Sequence, residues 1–263
     1  MGEALINTRF SLLRHELKSA GLPDADLDRW VRDLAAEVLH CRPDQVLVMS
    51  TGVIGVQMPM DRLAAGLALA APQLSAENGR LAAEAIMTTD RVPKGVSRQG
   101  RLGGRTFTLT GVVKGAGMIR PDVATMLCFL MTDIAAAPDA LREMLVAAAD
   151  RSFNRITVDG DTSTNDTILL LANGLAGAAA DSDDARAAFQ SVLDEVMLAL
   201  AKWVVKDAEG SNKLVEISVR GALSDPDALR IADTIAHSPL VKTALFGEDA
   251  NWGRLLAAAG RAG

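Results

Sequence analysis

The chain has 263 residues, 49% of them hydrophobic, and a formal net charge of −6, enough apolar material for a sizeable core in one large domain or two packed lobes. The acidic balance argues against a nucleic-acid binder, which carries a basic patch, and no apolar run reaches the roughly 18 residues of a membrane-spanning helix, so neither nucleic acid nor membrane is expected as a partner. Two cysteines and no secretory leader point to a reducing, cytoplasmic setting, and with 3% aromatic residues and no tyrosine the core must be aliphatic.

In chain order, residues 26–39 read as a helix because Trp30, Val31, Leu34, Ala35, Val38 and Leu39 share one face. A short apolar strand at 45–49 leads into Ser50-Thr51-Gly52-Val53-Ile54-Gly55, where glycine supplies a turn cheaply, and then into a helix at 60–74. The loop 91–104, with Pro93, Gly95, Gly100, Gly103 and Gly104, reads as the most flexible stretch. Strands are expected at 106–113, 126–131, 155–158 and 213–219, and helices at 139–153, 163–175, 185–204 and 225–237. Ser163, with Asp166 three residues on and Ile168-Leu169-Leu170-Leu171 beyond, reads as a capping box that opens a buried helix.

The acidic run 159–166 imitates a calcium loop, but an EF-hand needs glycine sixth and glutamate twelfth, where this sequence has Thr164 and Leu170. No metal is expected, since His15, His40 and His237 are scattered and Cys41 and Cys128 lack ligand spacing. Lys114-Gly115-Ala116-Gly117-Met118 lacks the Walker pattern, so no nucleotide loop is expected either. Ahead of Met126-Leu127 stands Ala124-Thr125. In mid-chain, Thr125 is a β-branched residue opening an apolar strand. At a new chain terminus it would instead carry an α-amine of unperturbed pKa about 7.7–8.0, a base for its own hydroxyl.

The runs STGVIG from Ser50, AIMTTD from Ala85, KGAGMI from Lys114, ATML from Ala124, SFNRITVDGDTSTNDT from Ser152, DAEG from Asp207 and NWGR from Asn251 stand in an order and spacing that resemble the glutamate N-acetyltransferase family, also called ornithine acetyltransferases, from about position 45 onward. The resemblance implies an α+β fold layered as an α/β/β/α sandwich, and self-cleavage between Ala124 and Thr125. The alpha-chain part would be 1–124, with 1–25 unmatched, and the beta-chain part 125–263. The two pieces would stay together, as a heterotetramer of two alpha and two beta chains.

By the same resemblance, Thr125 is the nucleophile that takes an acetyl group from N-acetylornithine as an ester and passes it to glutamate. Thr51 and Gly52 match the oxyanion-hole pair, and Thr88, Lys114, Thr125 and Glu209 match substrate-binding positions. No cofactor is implied, although some relatives accept acetyl-CoA as a donor. Lys114 and Glu209 would offer a cation and an anion to an amino-acid substrate. Family members carry an upstream segment and continue past NWGR to an asparagine and a threonine that bind substrate, and these have no counterpart here. Two alternatives stand beside the acetyltransferase: a self-cleaving amidase or aminopeptidase of the same fold, and a truncated, non-catalytic relative.

Overall fold

Alternation along β3 (Arg105–Lys114) sets up the molecule: Phe107, Leu109, Gly111 and Val113 are buried, while Thr108, Thr110 and Val112 between them are half-buried. In this computed structural model the described residues are 4–9, 24–120, 126–163 and 165–263, with backbone alone for 4–9 and 24–28. The other strands are β1 (Ala4–Arg9), β2 (Lys94–Leu102), β4 (Leu127–Thr132) and β5 (Thr167–Ala172), and the sheet order is β1-β5-β4-β3-β2. The β4–β5 pair is parallel and the other pairs are antiparallel.

The helices are α1 (Asp24–Leu39), α2 (Met60–Ala70), α3 (Gly79–Ala85), α4 (Pro138–Arg151), α5 (Asp183–Lys206), α6 (Asp225–Ala236), α7 (Pro239–Phe246) and α8 (Trp252–Ala259). α5 begins where the Ser182 hydroxyl accepts the Ala185 N–H, with Asp183 and Asp184 in its first turn. It lies across β2 and β3, while α4 packs on α5 and β1. Phe189, Leu193, Val196, Met197, Leu200 and Val204 of α5 are fully buried, each worth about 1.5–3 kcal/mol of apolar burial. The approach is so close that a Cβ on Gly111 would stand 2.6 Å from Leu200 Cδ1, which is why β3 carries glycine there. A second, smaller cluster joins Ile235 of α6, Val241 of α7 and Ala258 of α8.

The fold is α+β, and the described residues form one sheet with α4 and α5 layered on it. The helices expected at 26–39, 139–153, 185–204 and 225–237 are α1, α4, α5 and α6 with small shifts at their ends. The helix expected at 60–74 stops as α2 at Ala70, because Pro72 passes the chain into a short 3-10 turn.

Five expectations are corrected. Where a helix was expected at 163–175 the chain forms the strand β5 at Thr167–Ala172: a continuous apolar run suits either element, and here Ile168–Leu170 are buried between β1 and β4. The loop 91–104 is largely strand β2, because Gly103 (φ 55°) and Gly104 (φ 79°) supply the two left-handed residues that close a tight hairpin onto β3. Residues 45–49, 155–158 and 213–219 are not strands, since no neighbouring strand pairs with them among the described residues; Val158 donates its N–H to Ile119 O at 2.8 Å and its carbonyl accepts from Lys242 Nζ at 2.7 Å, which is not a strand ladder. No helix among the described residues is long and apolar enough to cross a membrane.

Candidate active site

At the C-terminal end of β3 the chain turns through Lys114 and Gly115, and a buried acid holds the turn. Asp90 Oδ1 accepts the Gly115 N–H at 2.7 Å and the Lys94 ammonium at 2.5 Å, and its Oδ2 accepts the Thr88 N–H at 3.1 Å. On its other side Lys94 meets Asp207 Oδ2 at 2.7 Å, just past the end of α5. The Lys94 and Asp90 side chains are 0% exposed, so the two aspartates and the lysine form a buried, hydrogen-bonded triad. Asp207 also accepts the Arg91 N–H at 3.0 Å.

Burial works against ionisation of Asp90, but the Gly115 amide, Lys94 and the Thr88 amide outweigh it and hold this carboxyl below its ordinary range. In Asp207 burial is likewise outweighed, by Lys94 and the Arg91 amide, and its carboxyl is also lowered.

This triad gathers three of the residues matched from sequence. Thr88 lies two positions before Asp90, Lys114 immediately before Gly115, and Glu209 two positions after Asp207. Lys114 is 2% exposed, and its Nζ lies 3.4 Å from Thr88 Oγ1. Burial lowers the Lys114 pKa, and the attractions of Asp90 and Asp166 offset this only in part, with Lys94 opposing them. The Glu209 N–H donates to Ala116 O at 2.7 Å, and its carboxylate lies over Gly117, where a Cβ would come within 2.9 Å of Glu209 Cδ. A buried cation, an exposed anion and a hydroxyl thus surround the turn 114–117.

Thr51 and Gly52 are not joined to this cluster. They lie in an irregular segment, Thr51 half-buried and Gly52 exposed, ahead of a turn in which Val56 N–H donates to Val53 O at 3.1 Å with Gly55 at φ 81°. Among the described residues no hydrogen bond or ion pair links them to Thr88, Lys114 or Glu209.

Ala124 and Thr125 lie outside the described residues, but their flanks are anchored. Upstream, Asp159 accepts the N–H groups of Met118 and Ile119 at 2.6 and 2.9 Å, holding Met118 in the left-handed region at φ 56°. Downstream, Asp166 Oδ1 accepts the Met126 N–H at 2.6 Å, and Met126 O accepts the Thr167 N–H at 3.0 Å. The capping box expected at 163–166 is therefore not formed, because Asp166 serves β4 rather than its own segment. Burial raises the Asp166 carboxyl to about 7, against the pull of the Met126 amide and Lys114.

Asp90, Lys94, Asp159, Asp166 and Asp207 were not anticipated. The available signal was that all but Lys94 fall inside the quoted runs, as acids beside small or apolar residues. No group of three or more His, Cys, Asp or Glu among the described residues is disposed to hold a metal. Cys128 is fully buried on the helical face of β4, and burial raises its thiol pKa strongly, away from a thiolate.

The model of the ArgJ family matches residues 20–263. The arginine biosynthesis bifunctional protein ArgJ of Symbiobacterium thermophilum is 53% identical over 232 residues, covering 88% of this chain and 58% of that protein. Its namesake from Geobacter sulfurreducens is 50% identical over 246 residues, covering 92% and 62%. The chain therefore spans about three fifths of the length of these relatives. The crystal structure of the Bacillus halodurans protein of the same name aligns with 43% identity and a TM-score of 0.49, over 51% of this chain and 64% of that one.

Proposed function

The chain belongs to the ArgJ family, and on that premise we propose that it is an acetyltransferase of arginine biosynthesis, moving an acetyl group from N-acetylornithine to glutamate through an ester on Thr125. Self-cleavage between Ala124 and Thr125 frees the α-amine that acts as base. The Thr125 hydroxyl adds to the acetyl carbonyl and its proton passes to that amine; the carbon–nitrogen bond of the donor then breaks, and ornithine leaves with the proton. Glutamate attacks the ester by the reverse path and restores the hydroxyl.

The observation that carries this reading is the gathering of Lys114, Thr88 and Glu209 at the end of β3, where Lys114 pairs in register with Leu127, two residues after Thr125. N-acetylornithine presents a carboxylate and a side-chain ammonium, its α-nitrogen being an uncharged amide, and Lys114 and Glu209 answer them with one charge each. Thr51 and Gly52 enter as oxyanion donors on their motif match alone; each such donor is worth about 2.7–4 kcal/mol. The reading extends to a cytoplasmic heterotetramer of cut chains, with acetyl-CoA as an alternative donor.

The test is the intact mass of the purified chain before and after incubation with N-acetylornithine. Two fragments split ahead of Thr125, with one acetyl on the C-terminal piece, are expected, and ornithine release should accelerate with glutamate. Acetate release indifferent to glutamate would reassign the chain to hydrolysis, and an uncut, unmodified mass would leave it a non-catalytic relative. Thr125→Ala should abolish both cutting and acetylation.

A further inference from the structure

Beneath the turn 114–117 three charged side chains are closed away from water, Lys94 and Asp90 at 0% exposure and Asp207 at 5%. Well-packed apolar residues in place of such a group are often neutral or stabilising, so cohesion alone is a poor reason to bury it. A buried polar network whose members are all partnered does something an apolar patch does not, which is to hold its parts at one fixed geometry.

Here each acid grips backbone as well as the lysine. Asp90 accepts the Thr88 and Gly115 N–H groups at 3.1 and 2.7 Å, and Asp207 accepts those of Arg91 and Val92 at 3.0 and 3.5 Å. Lys94 Nζ lies 2.5 Å from Asp90 Oδ1 and 2.7 Å from Asp207 Oδ2, and so joins the two grips. One ammonium therefore ties together the stretch 88–94, the turn at 114–115 and the end of α5.

Those stretches carry the charges of the candidate site on opposite sides of the joint. Lys114 precedes Gly115 on the Asp90 side, and Glu209 stands two residues past Asp207. The Glu209 N–H adds one bond across the same gap, to Ala116 O at 2.7 Å. A single bond is a pivot, and the ion triad beside it fixes the angle.

We propose that Lys94 is a positioning residue that sets the spacing of Lys114 and Glu209, and through it the side-chain length of the amino acid the site accepts. This rests on the reading of Lys114 and Glu209 as partners of the substrate's carboxylate and side-chain ammonium. Lys94 touches no substrate and exchanges no proton. With the joint intact, an ornithine skeleton meets both charges, whereas the extra methylene of a lysine skeleton drives its ammonium past Glu209 or its carboxylate off Lys114. In a fixed pocket one methylene is worth about tenfold or more. With the joint cut, the two charges drift and either length is tolerated.

The experiment is calorimetric titration of the full chain with L-ornithine and with L-lysine, in the parent, Lys94→Met, Lys114→Met, Glu209→Gln and Arg98→Met. Both ligands bear the carboxylate and the side-chain ammonium, and neither carries an acetyl group, so binding is read apart from any chemistry. The parent should bind ornithine at least about tenfold more tightly than lysine. In Lys94→Met that ratio should fall at least about threefold, mainly through weaker ornithine binding. Arg98→Met, on the same strand but paired at the surface with Glu195, should keep the parent's ratio.

The ratio is the readout that a purely structural role does not move. A smaller folded fraction divides both affinities by the same factor, and loss of a distant charge weakens both ligands alike. A Lys94→Met ratio within about threefold of the parent's overturns the proposal, however much affinity or melting temperature is lost. If Lys94→Met fails to fold, Asp207→Asn, which keeps an acceptor for the Arg91 amide and loses the anion that Lys94 grips, is judged by the same criterion. A parent that binds the two ligands alike overturns the proposal alone, since no length is then selected. A parent that binds neither ligand, or parental ornithine affinity in Lys114→Met or Glu209→Gln, overturns the reading of those two residues and this proposal with it.

Discussion

Replacing Lys94 by methionine keeps the length and apolar stem of the side chain and removes its charge. The Lys94 ammonium is 0% exposed and lies 2.5 Å from Asp90 and 2.7 Å from Asp207, themselves 0% and 5% exposed. Without it, two carboxylates face each other in a dry site. Removing one partner of such a buried pair costs about 3–5 kcal/mol, and in a chain of this size each kcal/mol is about 2–4 °C of melting temperature, so Lys94→Met should melt about 10 °C below the parent at pH 7.

The comparison is Arg98→Met, which removes an ion pair to Glu195 whose partners are 45% and 57% exposed and should cost less than about 1 kcal/mol. The sign with pH is also determined. Asp90 and Asp207 titrate below their ordinary range in the parent, so their contribution is present at neutral pH and is lost as pH falls through those depressed values. In the variant Asp90 loses its only ion-pair partner among the described residues and Asp207 keeps only the largely exposed Arg91 guanidinium at 3.2 Å, so both carboxyls hold their protons more readily than in the parent and the gap to the parent narrows on acidification. Denaturant unfolding followed by circular dichroism at pH 7 and 4.5 measures both quantities. A Lys94→Met loss no larger than that of Arg98→Met, or a gap that widens in acid, would refute the reasoning.

Lys114→Met should raise KM for N-acetylornithine with a smaller effect on kcat, since its charge is assigned to the substrate carboxylate; an unchanged KM in steady-state kinetics counts against that role. Gly117→Val places a side chain within about 3 Å of the Glu209 carboxylate, the mobile end of a long side chain, so it should weaken substrate binding by calorimetry while leaving the melting temperature within about 2 °C. Asp166 binds a proton in the folded state that the unfolded chain releases between about pH 4 and 7, so parent stability falls as pH rises through that window. Asp166→Asn should remove that fall, with a ceiling of about 4 kcal/mol at 1.36 kcal/mol per pH unit, and identical pH slopes in denaturant unfolding would contradict it.

What the sequence disclosed depended on how local the signal was. α5 was legible because its apolar stripe runs through most of its 24 residues and begins under a serine cap. β5 was not, because a strand buried on both faces loses the alternation that would have identified it. The hairpin at Gly103-Gly104 was read as looseness, although paired left-handed glycines make a tight turn. At the site, Thr88, Lys114 and Glu209 were named by motif, but the triad that gathers them joins residues as far apart as Lys94 and Asp207, a separation no local pattern encodes. Asp166 was assigned to a helix cap because its true partner, the Met126 amide, is forty residues upstream.

The strand order has a mechanical consequence. Of the five strands among the described residues, β1, β2 and β3 precede position 124 and β4 and β5 follow it, and the later pair is inserted between β1 and β3. A break at 124–125 would sever one covalent bond and leave every rung of both flanking ladders in place, so the halves would stay clasped as wedge and jaws. Made separately, the same halves would have to find each other by diffusion, with exposed strand edges open to the wrong neighbours. Scission in such a sheet is harmless only as the last act of assembly.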